Sequence, residues 1–177
     1  MKKLKKKVNK YFGAPACRQA GTNMNRHLSR MVTMQAIYEW NFRPDSNISE
    51  ILERSIAEFR DDIDIEFVKN TIKGICEKKD ELEKEIEVCA PEWPIEQISC
   101  IDKSILEISI FELFYSNDVP AKVSINEAVE LSKQFGNDNS SKFINGVLGT
   151  VYDNHKDIIE KKAVPTGRQE VENAGKN

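Results

Sequence analysis

The sequence predicts an all-α fold of about seven helices in two packed antiparallel helical bundles. Three observations predict it. Apolar residues recur at spacings of three and four almost without interruption from residue 24 to residue 162. No segment alternates apolar and polar residues between hairpin turns, as half-buried strands do. One stretch, 99–116, is apolar around more than one face, which marks a helix at the centre of a bundle.

The first helix is expected over 25–41. Leu28, Met31, Val32, Gln35, Tyr38 and Phe42 fall on one face, and Asn25 can cap its start. Arg43-Pro44-Asp45 breaks it. A second helix follows Ser46-Asn47 and turns Ile48, Ile51, Leu52, Ile56 and Phe59 to one side. Asp62 or Asp64 can start a third. Its apolar face runs through Ile65, Val68, Ile72, Ile75 and Cys76 and on to Leu82, Ile86 and Cys89, so one long helix is expected, with a charge-rich second half. Pro91 and Pro94 end it. Residues 94–98 can form a single turn, with Pro94 at a first helical position. The apolar helix 99–116 comes next, carrying Ile101, Ile105, Leu106, Ile108, Phe111, Leu113, Phe114 and Tyr115. Asn117-Asp118-Val119-Pro120 is a turn. A sixth helix is expected over 123–135, closed by Gly136 as a left-handed cap. The seventh starts near Asn139-Ser140 and runs to about residue 161.

The two ends differ from this body. Residues 1–23 hold seven basic residues and no acidic one, with Gly13-Ala14-Pro15 and Gly21-Thr22-Asn23 in place of an apolar face. They are expected to be a basic flexible extension, with Met24 a candidate for the true start. Residues 163–177, with Pro165, Gly167 and Gly175, are expected to be a disordered tail. The helical domain is then 24–162.

The net charge of −3 hides this division. Setting the seven basic residues aside leaves 19 basic against 29 acidic, a net −10 on the rest of the chain. So acidic a body cannot draw nucleic acid through its overall field. RNA binding would need a local basic patch or a basic partner. Cys17, Cys76, Cys89 and Cys100 form no C-x-x-C pair and the only histidines are His27 and His155, so no metal site or cofactor is expected. No stretch approaches the ~18 apolar residues that cross a bilayer. No apolar run follows the N-terminal lysines as in a secretory leader. The expectation is a cytoplasmic chain with no membrane partner. A glycine-rich phosphate loop and a supportable nucleophile–base arrangement are both missing, so no enzyme is expected.

Three stretches carry a resemblance. The first is Arg26-His27-Leu28-Ser29-Arg30 with Gln35-Ala36-Ile37-Tyr38-Glu39-Trp40. The second is Ile101-Asp102-Lys103-Ser104-Ile105-Leu106-Glu107-Ile108 ahead of Phe111-Glu112-Leu113. The third, and most specific in its order, is Val119-Pro120-Ala121-Lys122-Val123-Ser124-Ile125-Asn126-Glu127-Ala128, then Leu131-Ser132-Lys133-Gln134-Phe135-Gly136, then Lys142-Phe143-Ile144-Asn145-Gly146-Val147-Leu148. Over residues 24–162 the chain resembles the NusB family of transcription antitermination factors. The resemblance implies an all-helical protein that pairs with NusE, which is also a small-subunit ribosomal protein. The pair binds single-stranded boxA-type RNA and joins an antitermination complex with RNA polymerase, notably on ribosomal RNA operons. The same module is similar to the N-terminal domain of some ribosomal RNA cytosine methyltransferases, but no room for a cofactor-binding domain follows residue 162.

The resemblance points to an arginine-rich first helix as an RNA surface. Arg26 and Arg30, four apart, share one face, with His27 beside them. Leu28 and Ser29 stand where other members are more basic. Lys122, Asn126, Val129 and Lys133 form a stripe on the sixth helix, suited to a phosphate backbone and a base edge, or else a solvated face. Arg26, Arg30, Lys122 and Lys133 are expected on one exposed surface. Lys142 is a further RNA candidate. Asn139 stands where members often carry an acid. Phe135 can be core or stacking platform, and Gly146 is expected at a tight helix contact. For the partner, Glu107, Phe111, Glu112 and Tyr115 offer an acidic, aromatic face to a basic ribosomal protein. The reading from another class is a protein-binding helical adaptor without RNA contact, which would not need both cationic sets.

Overall fold

The computed structural model describes residues 25–162, so both terminal segments lie outside the described residues. Seven α-helices occur among them: α1 (Arg26–Phe42), α2 (Ile48–Phe59), α3 (Ile65–Glu77), α4 (Lys79–Cys89), α5 (Cys100–Tyr115), α6 (Ala121–Phe135) and α7 (Ser140–Lys162). One 3-10 turn, Ile95–Gln97, precedes α5. The described residues contain no strand.

Short polar side chains start four of the helices by accepting a backbone N–H that the first turn leaves unpaired. Asn25 accepts from Leu28 at 3.0 Å, Asn47 from Ser49 at 3.0 Å, Asp64 from Phe67 at 3.0 Å and Ser99 from Asp102 at 3.1 Å. Of the two candidate starts for α3, Asp64 is the cap.

The apolar helix α5 lies at the centre. Ile105, Leu106, Ile108, Ile110 and Leu113 are all at most 1% exposed. Each such side chain stabilises the fold by about 1.5–3 kcal/mol through the surface it removes from water. α1 packs on α2, α3 and α5, while α6 and α4 each pack on α5 and α7. α5 therefore belongs to both helix groups. α1 runs antiparallel to it, since Arg30 meets Glu112 and Asn41 meets Ser104 and Glu107. α7 runs alongside α5 in the same direction. Ser140 meets Asp102 at one end, and at the other the Lys162 ammonium donates to the carbonyls of Glu112 and Leu113 at 2.6 and 2.9 Å. That lysine meets the Leu113 carbonyl, and adds a second donor to the Glu112 carbonyl that already accepts the Ser116 N–H.

The expected long third helix is two helices. The chain leaves helical geometry at Lys78 (φ −113°, ψ 14°), whose N–H still reaches the carbonyls of Gly74 and Ile75. The apolar period continues across the break, which hides it in the sequence, but the two pieces serve different neighbours. α3 packs on α1 and α5, and α4 on α5 and α7. Gly74 just before the break is fixed by packing, because a Cβ there would overlap the Phe111 ring.

Two glycine readings also change. Gly136 is extended (φ −84°, ψ −171°) rather than left-handed. It is glycine because a Cβ would crowd the Ser140 side chain and the Ser132 carbonyl. Gly146 makes no tight helix contact, since a Cβ at Gly146 or Gly149 would meet only open space. α7 itself bends at His155 (φ −123°, ψ 20°), where the imidazole faces Glu85 at 2.9 Å and stands edge-on to Phe114.

Candidate functional site

The cations of α1 are committed to carboxylates. Arg30 is only 4% exposed. Its Nε and Nη2 donate to the two oxygens of Glu112 at 2.8 and 3.1 Å, and Nη1 lies 3.5 Å from Glu127. Glu112 is itself 1% exposed. This two-pronged pair matches the guanidinium fork to a carboxylate deep between α1 and α5. The expectation of Arg30 on an exposed RNA surface is therefore corrected, as is that of Glu112 on a partner surface. Position 30 falls on the side of α1 that packs against α5, and the buried Glu112 needs a cation there. Arg26 is partly exposed, with Nε 3.1 Å from Asp64, Nη2 donating to Asp118 at 2.9 Å and the guanidinium 4.6 Å from the centre of the Phe67 ring. Although burial opposes it, hydrogen bonds from Ser116 and Arg26 hold Asp118 below the usual carboxylate range. His27 is half-buried, with Nδ1 2.8 Å from Glu127 and Nε2 3.1 Å from Gln134.

The cations of α6 and α7 stand differently. Lys122, Asn126 and Lys133 are exposed on α6, and Lys142 is exposed on the first turn of α7. Lys133 pairs with Glu130 on its own helix at 2.7 Å. Such exposed pairs are worth at most ~1 kcal/mol and exchange readily for another anion. The predicted single surface is thus reduced. Lys122, Asn126 and Lys133 keep their exposed stripe, Arg26 reaches solvent already neutralised, and Arg30 is absent from it. Val129 and Phe135 are half-buried, and Phe135 packs against the core.

The predicted acidic and aromatic partner face is also rebuilt. Glu107 is fully buried. One of its oxygens accepts from Asn41 at 2.7 Å, and the other is buried without a hydrogen-bond partner. Burial pushes its pKa up. It is not a surface acid, because α5 is enclosed on that side by α1. Phe111 is half-buried and Tyr115 is 42% exposed, their rings 5.3 Å apart. They line a hollow of about 440 Å³ whose carboxylates come from Asp64, Glu66 and Asp118. The sequence placed the acids on the wrong turns, because the buried glutamates of α5 and the exposed acids of neighbouring elements look alike without the packing.

A second hollow, of about 260 Å³, opens where the loop before α5 meets the start of α7. Trp93 and Phe143 stand edge to face there, with ring centres 6.0 Å apart, and Asp102, Ser99, Asn137 and Asn139 add polar groups. None of these residues was a site candidate from the sequence. The signals were present but faint: a tryptophan between two prolines, and an aspartate inside the most apolar helix. Among the described residues no group of three His, Cys, Asp or Glu side chains could hold a metal ion. Desolvation by burial pushes the Cys89 thiol up to about 12, leaving it unreactive near neutrality.

Comparisons with known proteins agree with this architecture. The NusB family model matches residues 27–153. A transcription antitermination protein NusB of Dehalococcoides mccartyi (strain CBDB1) is 41% identical over 128 residues, covering 72% of this chain and 89% of that protein. The protein of the same name from Clostridium botulinum (strain Kyoto) is 39% identical over 141 residues, with 71% and 98% covered. Among solved structures, T. maritima NusB aligns with a TM-score of 0.71 at 29% identity, covering 78% of this chain and 99% of that one. A structure of the antitermination factors NusB and NusE in complex with double-stranded RNA shares the fold, with a TM-score of 0.65 at 21% identity over 73% of this chain and 96% of that one.

Proposed function

Because the chain belongs to the NusB family, we propose that it is a transcription antitermination factor. It binds single-stranded boxA-type RNA together with NusE, and the pair joins an antitermination complex with RNA polymerase, notably on ribosomal RNA operons. The work is done in the cytoplasm and requires no catalysis by this chain. The observation that carries the RNA reading is the exposed set Lys122, Asn126, Lys133 and Lys142, the last of them next in the chain to Phe143, which with Trp93 walls a hollow. Lysines that track phosphates, beside aromatic rings that can stack on bases, are the two elements of single-strand binding.

The NusE contact is assigned to the hollow at Phe111 and Tyr115. Its exposed Glu66, with Asp64 and Asp118 paired with Arg26, stands beside Phe67, Phe111 and Tyr115 and suits the basic side chains of a ribosomal protein. The adaptor reading, protein contact without RNA, draws support from the neutralised cations of α1. Binding of a labelled boxA-type RNA to this chain, to NusE and to the pair separates the two. The pair should bind more tightly than either alone, with affinity falling as salt rises. A chain–NusE complex whose RNA affinity equals that of NusE alone would leave only the adaptor.

A further inference from the structure

The hollow at Phe111 and Tyr115 is already entered by a cation of the chain itself. Arg26 places Nε 3.1 Å from Asp64 Oδ2 and Nη2 2.9 Å from Asp118 Oδ2. Both carboxylates are fixed without it. Oδ1 of Asp64 accepts the Phe67 N–H at the start of α3, and Oδ1 of Asp118 accepts the Ser116 hydroxyl at 2.8 Å. Each acid therefore ties one oxygen into the fold and turns the other to the guanidinium. The lining sets three carboxylates, Asp64, Glu66 and Asp118, against the one cation, a formal net −2. About 440 Å³ stands open beside them, enough for a second cationic side chain against the exposed Tyr115 ring.

Arg26 is held less firmly than Arg30. Arg30 is enclosed with Glu112, whereas the Arg26 side chain is 39% exposed. Ion pairs so placed contribute little and exchange readily for another charge. Arg26 also stands between two surfaces. Its partner Asp118 precedes Lys122, on the first turn of α6, by four residues. A guanidinium released from Asp118 therefore adjoins the exposed stripe of Lys122 and Asn126.

Resting on the assignment of NusE to this hollow, we propose that Arg26 is a placeholder in the partner's site. A lysine or arginine side chain of NusE takes over the Oδ2 atoms of Asp64 and Asp118, and the displaced Arg26 turns to the RNA beside Lys122. Arg26 competes with NusE while the hollow is empty and serves the RNA only once NusE has bound. One side chain then couples the two ligands. Because such coupling is reciprocal, RNA must tighten NusE binding by the factor through which NusE tightens RNA binding.

The test uses the full chain and measures its affinity for NusE, and for a labelled boxA-type RNA with and without saturating NusE. Arg26→Ala removes the competitor, so NusE should bind roughly fivefold more tightly, the scale of one exposed ion pair. The same variant should bind RNA roughly fivefold more weakly in the NusE complex and equally well without NusE, with the salt slope lowered by ~0.7 in the complex alone. Asp118→Asn loosens Arg26 in advance, so the chain without NusE should gain RNA affinity, and the gain should vanish when Arg26→Ala is added. Glu66→Lys and Tyr115→Ala should each weaken NusE binding severalfold. Weaker NusE binding by Arg26→Ala would make Arg26 part of the partner contact and overturn the competition. An RNA loss in Arg26→Ala that is equal with and without NusE, or absent from both, would overturn the hand-over while the assignment of NusE stands. NusE affinity unmoved by Glu66→Lys and Tyr115→Ala would overturn that assignment and the hand-over with it.

Discussion

Two sets of basic residues in this chain have opposite surroundings. On α1, Arg26, His27 and Arg30 each face a carboxylate from another part of the fold. On α6 and α7, Lys122, Lys133 and Lys142 face solvent, and the ion pair that Lys133 makes is with Glu130 on its own helix. The difference teaches that a basic residue in a binding protein's first helix can be an internal fastener. An arginine fork suits that task, because it fills a buried carboxylate's two oxygens in one plane. Lysines on flexible stems keep their charge in water, where a phosphate can take it.

The comparison breaks or sharpens on four variants. The largest effect is expected from Arg30→Ala, which leaves Glu112 buried without its cation. Losing one partner of a buried pair costs ~3–5 kcal/mol. At ~2–4 °C per kcal/mol for a chain of this size, the melting temperature should fall by at least about 6 °C. A fall within ~1 °C would show that the pair is not a fastener. Arg26→Ala comes next. Its two carboxylate partners and its stack on Phe67 are partly exposed, so about 1 kcal/mol is expected by chemical denaturation.

Replacing Lys122, Lys133 and Lys142 together by alanine should change stability by no more than ~0.5 kcal/mol per site. In the complex with NusE, the same variant should lower the salt slope of RNA binding by about two units, at ~0.7 per lost single-strand phosphate contact. A normal slope would move the RNA away from α6 and α7. The smallest effect is expected from Glu107→Gln. Burial raises the Glu107 pKa above its ordinary value of 4.5, so the folded chain holds this proton more tightly than the unfolded one. The resulting stabilisation is complete below the unfolded value and lost as pH climbs toward the folded one. Glutamine cannot ionise, so the variant should gain on the parent chain in thermal melts as pH rises above 4.5. A parallel pH dependence in the two proteins would show that Glu107 is no more costly to ionise than a surface acid.

The fold was legible because periodicity is local. The face through Leu28, Met31 and Val32, the breaks at Pro44 and Pro120, and the caps Asn25 and Asp64 all act within a turn or two of themselves. The break at Lys78 escaped because Ile75 and Leu82 keep the period across it while their partners change from one helix group to the other. Of the candidate site residues, the exposure of Lys122, Asn126 and Lys133 was legible, because it follows from the helical pattern. Arg30 and Glu112 misled because their meaning lies in each other, 82 residues apart. Asp102 carried only a faint signal because an acid in the first turn of a helix already has a reason to be there.

α5 is a wall common to two rooms. Its Ile105, Leu106, Ile108, Ile110 and Leu113 are covered from both helix groups, and its last carbonyls are held by Lys162 from the far end of α7. Take it away and both groups lose the helix they share: α1 still packs on α2 and α3, and α6 on α7, but the apolar faces that close on α5 lie open. The chain therefore has no smaller cooperative unit to fall back on, although its outline suggests two. Dissection at the 90–99 segment would yield two interdependent fragments rather than a pair of subdomains, with the fragment lacking α5 deprived of its core.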